Sequence, residues 1–111
     1  MKFCDWLSFN NIQTESPDQP GVFQVKIKKG LIDYPTGKSA MFYYGYTNNL
    51  NKGLAQFCTE ILPVLNIDSD LIVMRWLVVS DTETQFKKYM DLFLTKFGSL
   101  PQGNVLFLQQ S

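Results

Sequence analysis

Val22 to Lys28 alternates without interruption: Phe23, Val25 and Ile27 fall on one side, and Gln24, Lys26 and Lys28 on the other. A period of two is the mark of a strand with one face buried. Gly30 and then Asp33-Tyr34-Pro35-Thr36-Gly37 follow with the residues of a long hairpin loop. Ala40 to Tyr46 then returns as a second strand rich in Phe and Tyr, types that suit a pleated, half-buried surface. The two strands are expected to pair antiparallel. A lone hairpin is marginal in water, so the remaining chain has to cover it.

Helical spacing supplies that cover. Leu50, Leu54, Phe57, Cys58, Ile61 and Leu62 recur on one helical face behind Asn48-Asn49, either of which serves as N-cap, and Pro63 is expected to stop the run. Leu71 to Val79 is apolar on both faces apart from Arg75, which predicts a strand covered on both sides. A guanidinium buried there needs a carboxylate or several carbonyls, because an unpaired buried charge costs several kcal/mol. Ser80 and Glu83 have the spacing of a capping box ahead of a helix whose inner face is Phe86, Tyr89, Met90, Phe93, Leu94 and Phe97, closed by Gly98. Leu100 to Asn104 reads as a turn and Val105 to Leu108 as a short edge strand. Asp68 and Asp70 read as a turn rather than a metal site, which needs more oxygen ligands. Met1 to Ile12, with Phe3, Trp6, Leu7 and Phe9, predicts a helical turn or irregular cap packed down by its aromatics. The class is mixed α/β, of the α+β kind, in one domain spanning residues 1–111.

Composition narrows function more than fold. The chain has no histidine, which removes Ser-His-Asp and Cys-His catalysis and histidine-ligated metals. Net charge is zero and Arg75 is the one arginine, whereas a phosphate-binding surface carries basic excess with arginine prominent. Lys26, Lys28, Lys29 and Lys38 cluster around the hairpin and read first as a solvated edge, where lysine also opposes aggregation, and second as a weak nucleic-acid contact. Cys4 and Cys58 define no disulfide framework and suit a reducing compartment. The longest apolar run is too short to span a bilayer, and no secretory leader opens the sequence, so an intracellular, soluble location (cytoplasmic or nuclear) without a membrane partner is expected. Thr36-Gly37-Lys38-Ser39 is not a phosphate loop, because Ile32 stands where that motif needs glycine and a strand follows instead of a helix.

Pro20-Gly21-Val22-Phe23, Tyr43-Tyr44-Gly45, Asn49-Leu50 and Pro101-Gln102-Gly103-Asn104 occur in this order on a strand, a strand, a helix start and a late turn. The pattern resembles the GIY-YIG nuclease domains, over residues 16–105, with 1–15 as an N-terminal cap or extension. The resemblance implies a three-stranded antiparallel sheet flanked by helices, with Gly21, Gly45, Asn49 and Asn104 as structural motif positions. It also implies metal-dependent endonuclease chemistry. In that family a late-helix glutamate holds a divalent cation, tyrosines of both motifs act at the water or scissile phosphate, and an arginine early in the first helix stabilises the phosphate charge.

Carried onto this chain, that set is depleted. Tyr43 matches the second-motif tyrosine, but Phe23 replaces the first and has no hydroxyl. Gly53 stands at the arginine position beside Lys52, and the late helix offers Asp91 or, in an equally good register, Met90. Asn104 matches the closing asparagine. The expectation is therefore a non-catalytic module, without a cofactor, that binds a protein partner, with Tyr44 and Tyr46 as contact candidates. The alternative is a divergent endonuclease in which Tyr43 orients water, Lys52 replaces the arginine and Asp91 holds Mg2+. A third reading is nucleic-acid binding without cleavage through Lys26, Lys28, Lys29 and Lys38.

Overall fold

The alternating segment becomes β2 (Gly21–Ile27), the inner strand of an antiparallel sheet, in a computed structural model that describes residues 2–109. The order of elements is β1 (Leu7–Ser8), α1 (Phe9–Glu15), β2, a small hairpin of β3 (Ile32–Tyr34) and β4 (Gly37–Ser39), β5 (Met41–Thr47), α2 (Leu50–Gln56), a π-helical turn (Phe57–Ile61), α3 (Leu62–Leu65), β6 (Ile72–Val78), α4 (Thr82–Phe97) and α5 (Gln102–Gln109). The main sheet has four strands in the order β1-β6-β2-β5, not three, because the N-terminal segment contributes two residues that pair Leu7 with Met74 and Ser8 with Val73. Nothing in two residues of sequence marks a strand that is defined only by the neighbour it pairs with.

The two faces of the sheet are both covered, as a β6 without polar alternation requires. On the first face, Phe23 and Val25 lie across from Gly45 and Tyr43 on one side and Trp76 and Met74 on the other. Ile12 of α1, Leu50 and Leu54 of α2, Phe57, and Leu62 and Leu65 of α3 close over them. On the second face, Val22 and Leu77 pack beneath Phe86 and Tyr89 of α4 and beneath Phe3. Burying side chains of this size contributes roughly 1.5–3 kcal/mol each, so the two helical layers, not the hairpin, hold the sheet together.

Several expectations change for local physical reasons. Pro63 does not stop the first long helix: the π turn resets the hydrogen-bonding frame and places Pro63 in the first turn of α3, where a missing N–H costs little. The rod ends three residues later, at Asn66 in the left-handed region with φ 59°. Ser80 and Glu83 form no capping box; Asp81 is the N-cap of α4, without a side-chain cap, and Glu83 instead accepts a hydrogen bond from the Tyr46 hydroxyl at 3.3 Å. Leu94 is on the outer side of α4, 45% exposed, while Phe86, Tyr89, Phe93 and Phe97 keep the inner side. Gly98, with φ 76°, does close this helix. Among the described residues Arg75 meets no carboxylate; its Nε donates to Gln24 Oε1 at 2.7 Å, and its guanidinium lies 4.6 Å from the Phe3 ring and 4.5 Å from the Trp6 ring. Two π faces and one amide oxygen do the work assigned to a counter-ion.

Val105 to Leu108 is helix, not edge strand. The turn opens with Asn104 N–H and Val105 N–H both donating to the Pro101 carbonyl, which starts α5. A four-residue apolar run has no periodicity to separate the two states. The result is that α5 covers the edge of β5 with a side chain: Asn104 Oδ1 accepts from Tyr44 N–H and Asn104 Nδ2 donates to the Tyr44 carbonyl, both at 2.9 Å. One amide thus replaces the strand that the edge lacks.

Tyr44 and Asn104 are both buried, so deleting that amide leaves a main-chain donor and acceptor unpaired. Asn104→Ala is expected to lower the unfolding free energy by about 1–3 kcal/mol, seen as a lower urea midpoint at unchanged m-value.

Candidate functional site

The motif residues converge where β5 meets α2. Thr47 Oγ1 accepts the Asn49 N–H and donates to the Asn49 carbonyl, both at 3.1 Å, and Asn49 Oδ1 caps α2 by accepting the Lys52 N–H at 3.0 Å. Gln19, just ahead of Gly21, gives its carbonyl to Leu50 N–H, tying the start of β2 to the start of α2. Of the two expected candidates, Asn48 and Asn49, Asn49 is the N-cap, and Gly21 and Gly45 sit where side chains would collide. A Cβ on Gly45 would enter the Phe23 ring, and one on Gly53 would stand 2.6 Å from Thr47 Oγ1.

Between these elements lies a cleft of about 190 Å3 that opens along the free edge of β5. Phe23, Tyr43 and Phe57 form its floor, Ile61 and Gln56 one wall, and Phe86 and Asn104 the other. The Tyr43 ring packs 4.7 Å from Phe57 and 6.2 Å from Phe23. No aspartate, glutamate, lysine or arginine lines it. Its polar groups are hydroxyls, the Gln56 amide and the Asn104 amide already engaged by Tyr44.

The structure brings together Phe23, Tyr43, Tyr44, Tyr46, Gly45, Gly53 and Asn104 and leaves the other candidates outside. Lys52 is exposed on α2 and Asp91 exposed on α4; neither lines the cleft, so Tyr43, Lys52 and Asp91 do not share one cavity. The four candidate lysines are dispersed in their engagements. Lys26 lies 4.4 Å over the Trp6 ring, Lys38 pairs with Asp33 at 3.6 Å, and Lys28 and Lys29 border a separate, largely apolar hollow with Asp70. Tyr44 is buried against Phe93, whereas Tyr46 is 43% exposed with its ring 4.8 Å from Phe86. Gln56, Ile61 and Phe86 are not legible as site residues in the sequence. Each reaches the cleft through the approach of two helical segments that are distant in sequence, and the sequence shows only the helical spacing of Ile61 and Phe86.

Mg2+ does not fit this cleft. A hard cation takes six or more oxygens with carboxylates among them, and none lines the site; among the described residues no group of three or more Asp, Glu, Cys or His is placed to hold a metal. Among the described residues, no helix is long and apolar enough to cross a membrane. No protein-family model matches the chain, and no curated protein matches it.

Burial sets the ionisation of the aromatic wall. Desolvation pushes the Tyr43 phenol up, and pushes that of Tyr44 up to about 12, with Arg75 opposing and Tyr34 adding slightly. Cys58, in the π turn between α2 and α3, is raised by burial to about 11. Burial thus holds the Tyr43 phenol further from ionisation than a free tyrosine.

The sign of the pH effect follows. The folded phenols hold their protons more tightly than the unfolded ones, so their stabilising effect is complete below the ordinary tyrosine pKa of about 10. It is lost as pH rises through that value towards about 12. Urea midpoints should accordingly fall over this alkaline window, and Tyr44→Phe, compared at each pH with its own neutral value, should fall less.

Proposed function

We propose that this chain is a non-catalytic module on a GIY-YIG-like scaffold, and that it binds a protein partner through the cleft beside β5. One observation carries the reading: among the described residues, the cavity framed by the motif residues is lined by aromatic, aliphatic and uncharged polar side chains and by no charged one. Phosphodiester cleavage needs positive charge against the developing oxyanion and a group to activate water. Each such group is worth on the order of a hundred- to thousandfold in rate, and losses within one catalytic set leave little even though they do not add. Gly53, moreover, has no room for a larger side chain unless Thr47 moves.

A protein is favoured over nucleic acid as partner because aromatic side chains make up much of the cleft lining, with Tyr46 43% exposed, while two of the hairpin lysines are already occupied by Trp6 and Asp33. Exposed tyrosine beside a desolvated aromatic floor is a frequent arrangement at protein contacts. Phosphate binding would instead call for free, convergent cations.

Two measurements test this. Purified protein incubated with labelled DNA and Mg2+ or Mn2+ should leave the DNA intact; cleavage abolished by Tyr43→Phe would establish the divergent endonuclease in its place. A photo-crosslinking amino acid at Gln56, on the cleft wall, should trap a polypeptide partner in cells, and the same group at Lys38, on the small hairpin, should not. Crosslinking from Lys38 alone moves the binding surface away from the cleft and refutes the proposal.

A further inference from the structure

The backbone pairing fixes what kind of polypeptide the cleft can take. Within β2, the flanking bonds of the sheet place Pro20 opposite Val79 and Lys28 opposite Leu71 in hydrogen-bonded pairs with the β6 side. Even-numbered residues of β2 therefore bond to β6, and odd-numbered ones to β5, as the Ile27 N–H to Ala40 carbonyl bond shows. Tyr44 and Tyr46 stand opposite Gln24 and Val22, in the pairs that do not bond across β2. Their N–H and C=O groups consequently point out of the sheet edge. At Tyr44 both are taken by the Asn104 amide. At Tyr46, two residues on and inside the cleft, no hydrogen bond from another described residue reaches either group.

Building on the cleft being the partner site, we infer that its occupant is an extended peptide segment that adds to β5 as a further strand, pairing its own amide and carbonyl with those of Tyr46 in line with the Asn104 amide. A planar amide already completes the ladder at Tyr44, so the geometry for a second one, a strand step further, is in place. An extended backbone supplies the donor and acceptor together at strand spacing. One side chain of the added strand enters the space over Tyr43 and Phe57, between Ile61 and Phe86. A helix presented to the same groove has its backbone groups already bonded internally and would leave the Tyr46 pair unanswered.

The probe is a phage-displayed library of random dodecapeptides panned on the folded protein. Selected peptides should lose affinity about tenfold when one particular backbone amide is N-methylated, the worth of one well-made hydrogen bond plus its steric block. On the protein side, Tyr46→Pro removes the outward N–H at an edge position where proline is tolerated, and Tyr46→Ala removes the ring alone. The proline variant should bind about tenfold more weakly than the alanine variant. Selection of no peptide, tolerance of N-methylation at every position, or equal binding by the two Tyr46 variants overturns strand addition; the N-methyl series does so whether or not the proline variant folds. If the partner still crosslinks from Gln56 while either Tyr46 comparison is flat, the cleft remains the binding site and only the strand pairing falls. If Gln56 traps nothing, the cleft reading itself has failed.

Discussion

The hydrogen-bonding of β2 to both neighbours is the constraint on which the rest of the molecule depends. Even residues bond to β6 and odd residues to β5, which consumes both edges of the strand. Because side chains alternate with the same period, that register also decides which residues enter which core. Phe23 and Val25 meet the helices of the first face, and Val22 meets α4 on the second. A slip of one residue would exchange the two sets and bring Gln24 and Lys26 under α2.

Once β2 is fixed, the unpaired edges lie on β6 and β5, and the chain treats them with side chains as much as with strands. On β6 the two residues of β1 pair directly, and beside them Cys4 takes part twice: its N–H donates to the Trp76 carbonyl, and its Sγ accepts the Trp76 N–H at 3.3 Å. Phe3 and Trp6 of the same segment fold over Arg75, the one guanidinium in the sequence, so that a cation inside an apolar strand is held by rings. On β5 the Asn104 amide does the equivalent work. An edge left open is an invitation to another strand, and at Tyr46 the closing device stops one step short.

The neutrality of the cleft is built into its packing. The Phe23 ring fills the space over Gly45, and Gly53 brings α2 against Thr47 so closely that a longer residue has nowhere to start. Lys52 and Asp91, adjacent in sequence to the positions of interest, project elsewhere because a helix turns about a hundred degrees per residue. Charge has been kept out of the site by the same contacts that stabilise it.

Periodicity in the chain by itself determined the two long paired strands, the helix behind Asn49 and the helix ended by Gly98, since a pattern of two or 3.6 residues over seven or more positions leaves one way to bury an apolar face. An apolar run broken by one arginine marked the buried third strand. Composition removed histidine chemistry, and the resemblance, not any period, grouped Tyr43, Gly45, Gly53 and Asn104. What only the tertiary structure decided were the pieces without a period of their own. β1 is a strand because β6 lies beside it; Val105–Leu108 is helix because Pro101 starts a turn and Asn104 holds the edge; Pro63 is tolerated because a π turn precedes it. The open couple at Tyr46 belongs to the same group. Whether a backbone N–H points into a sheet or out of it is set by its partner across the strand, and no single segment of sequence contains both members of that pair.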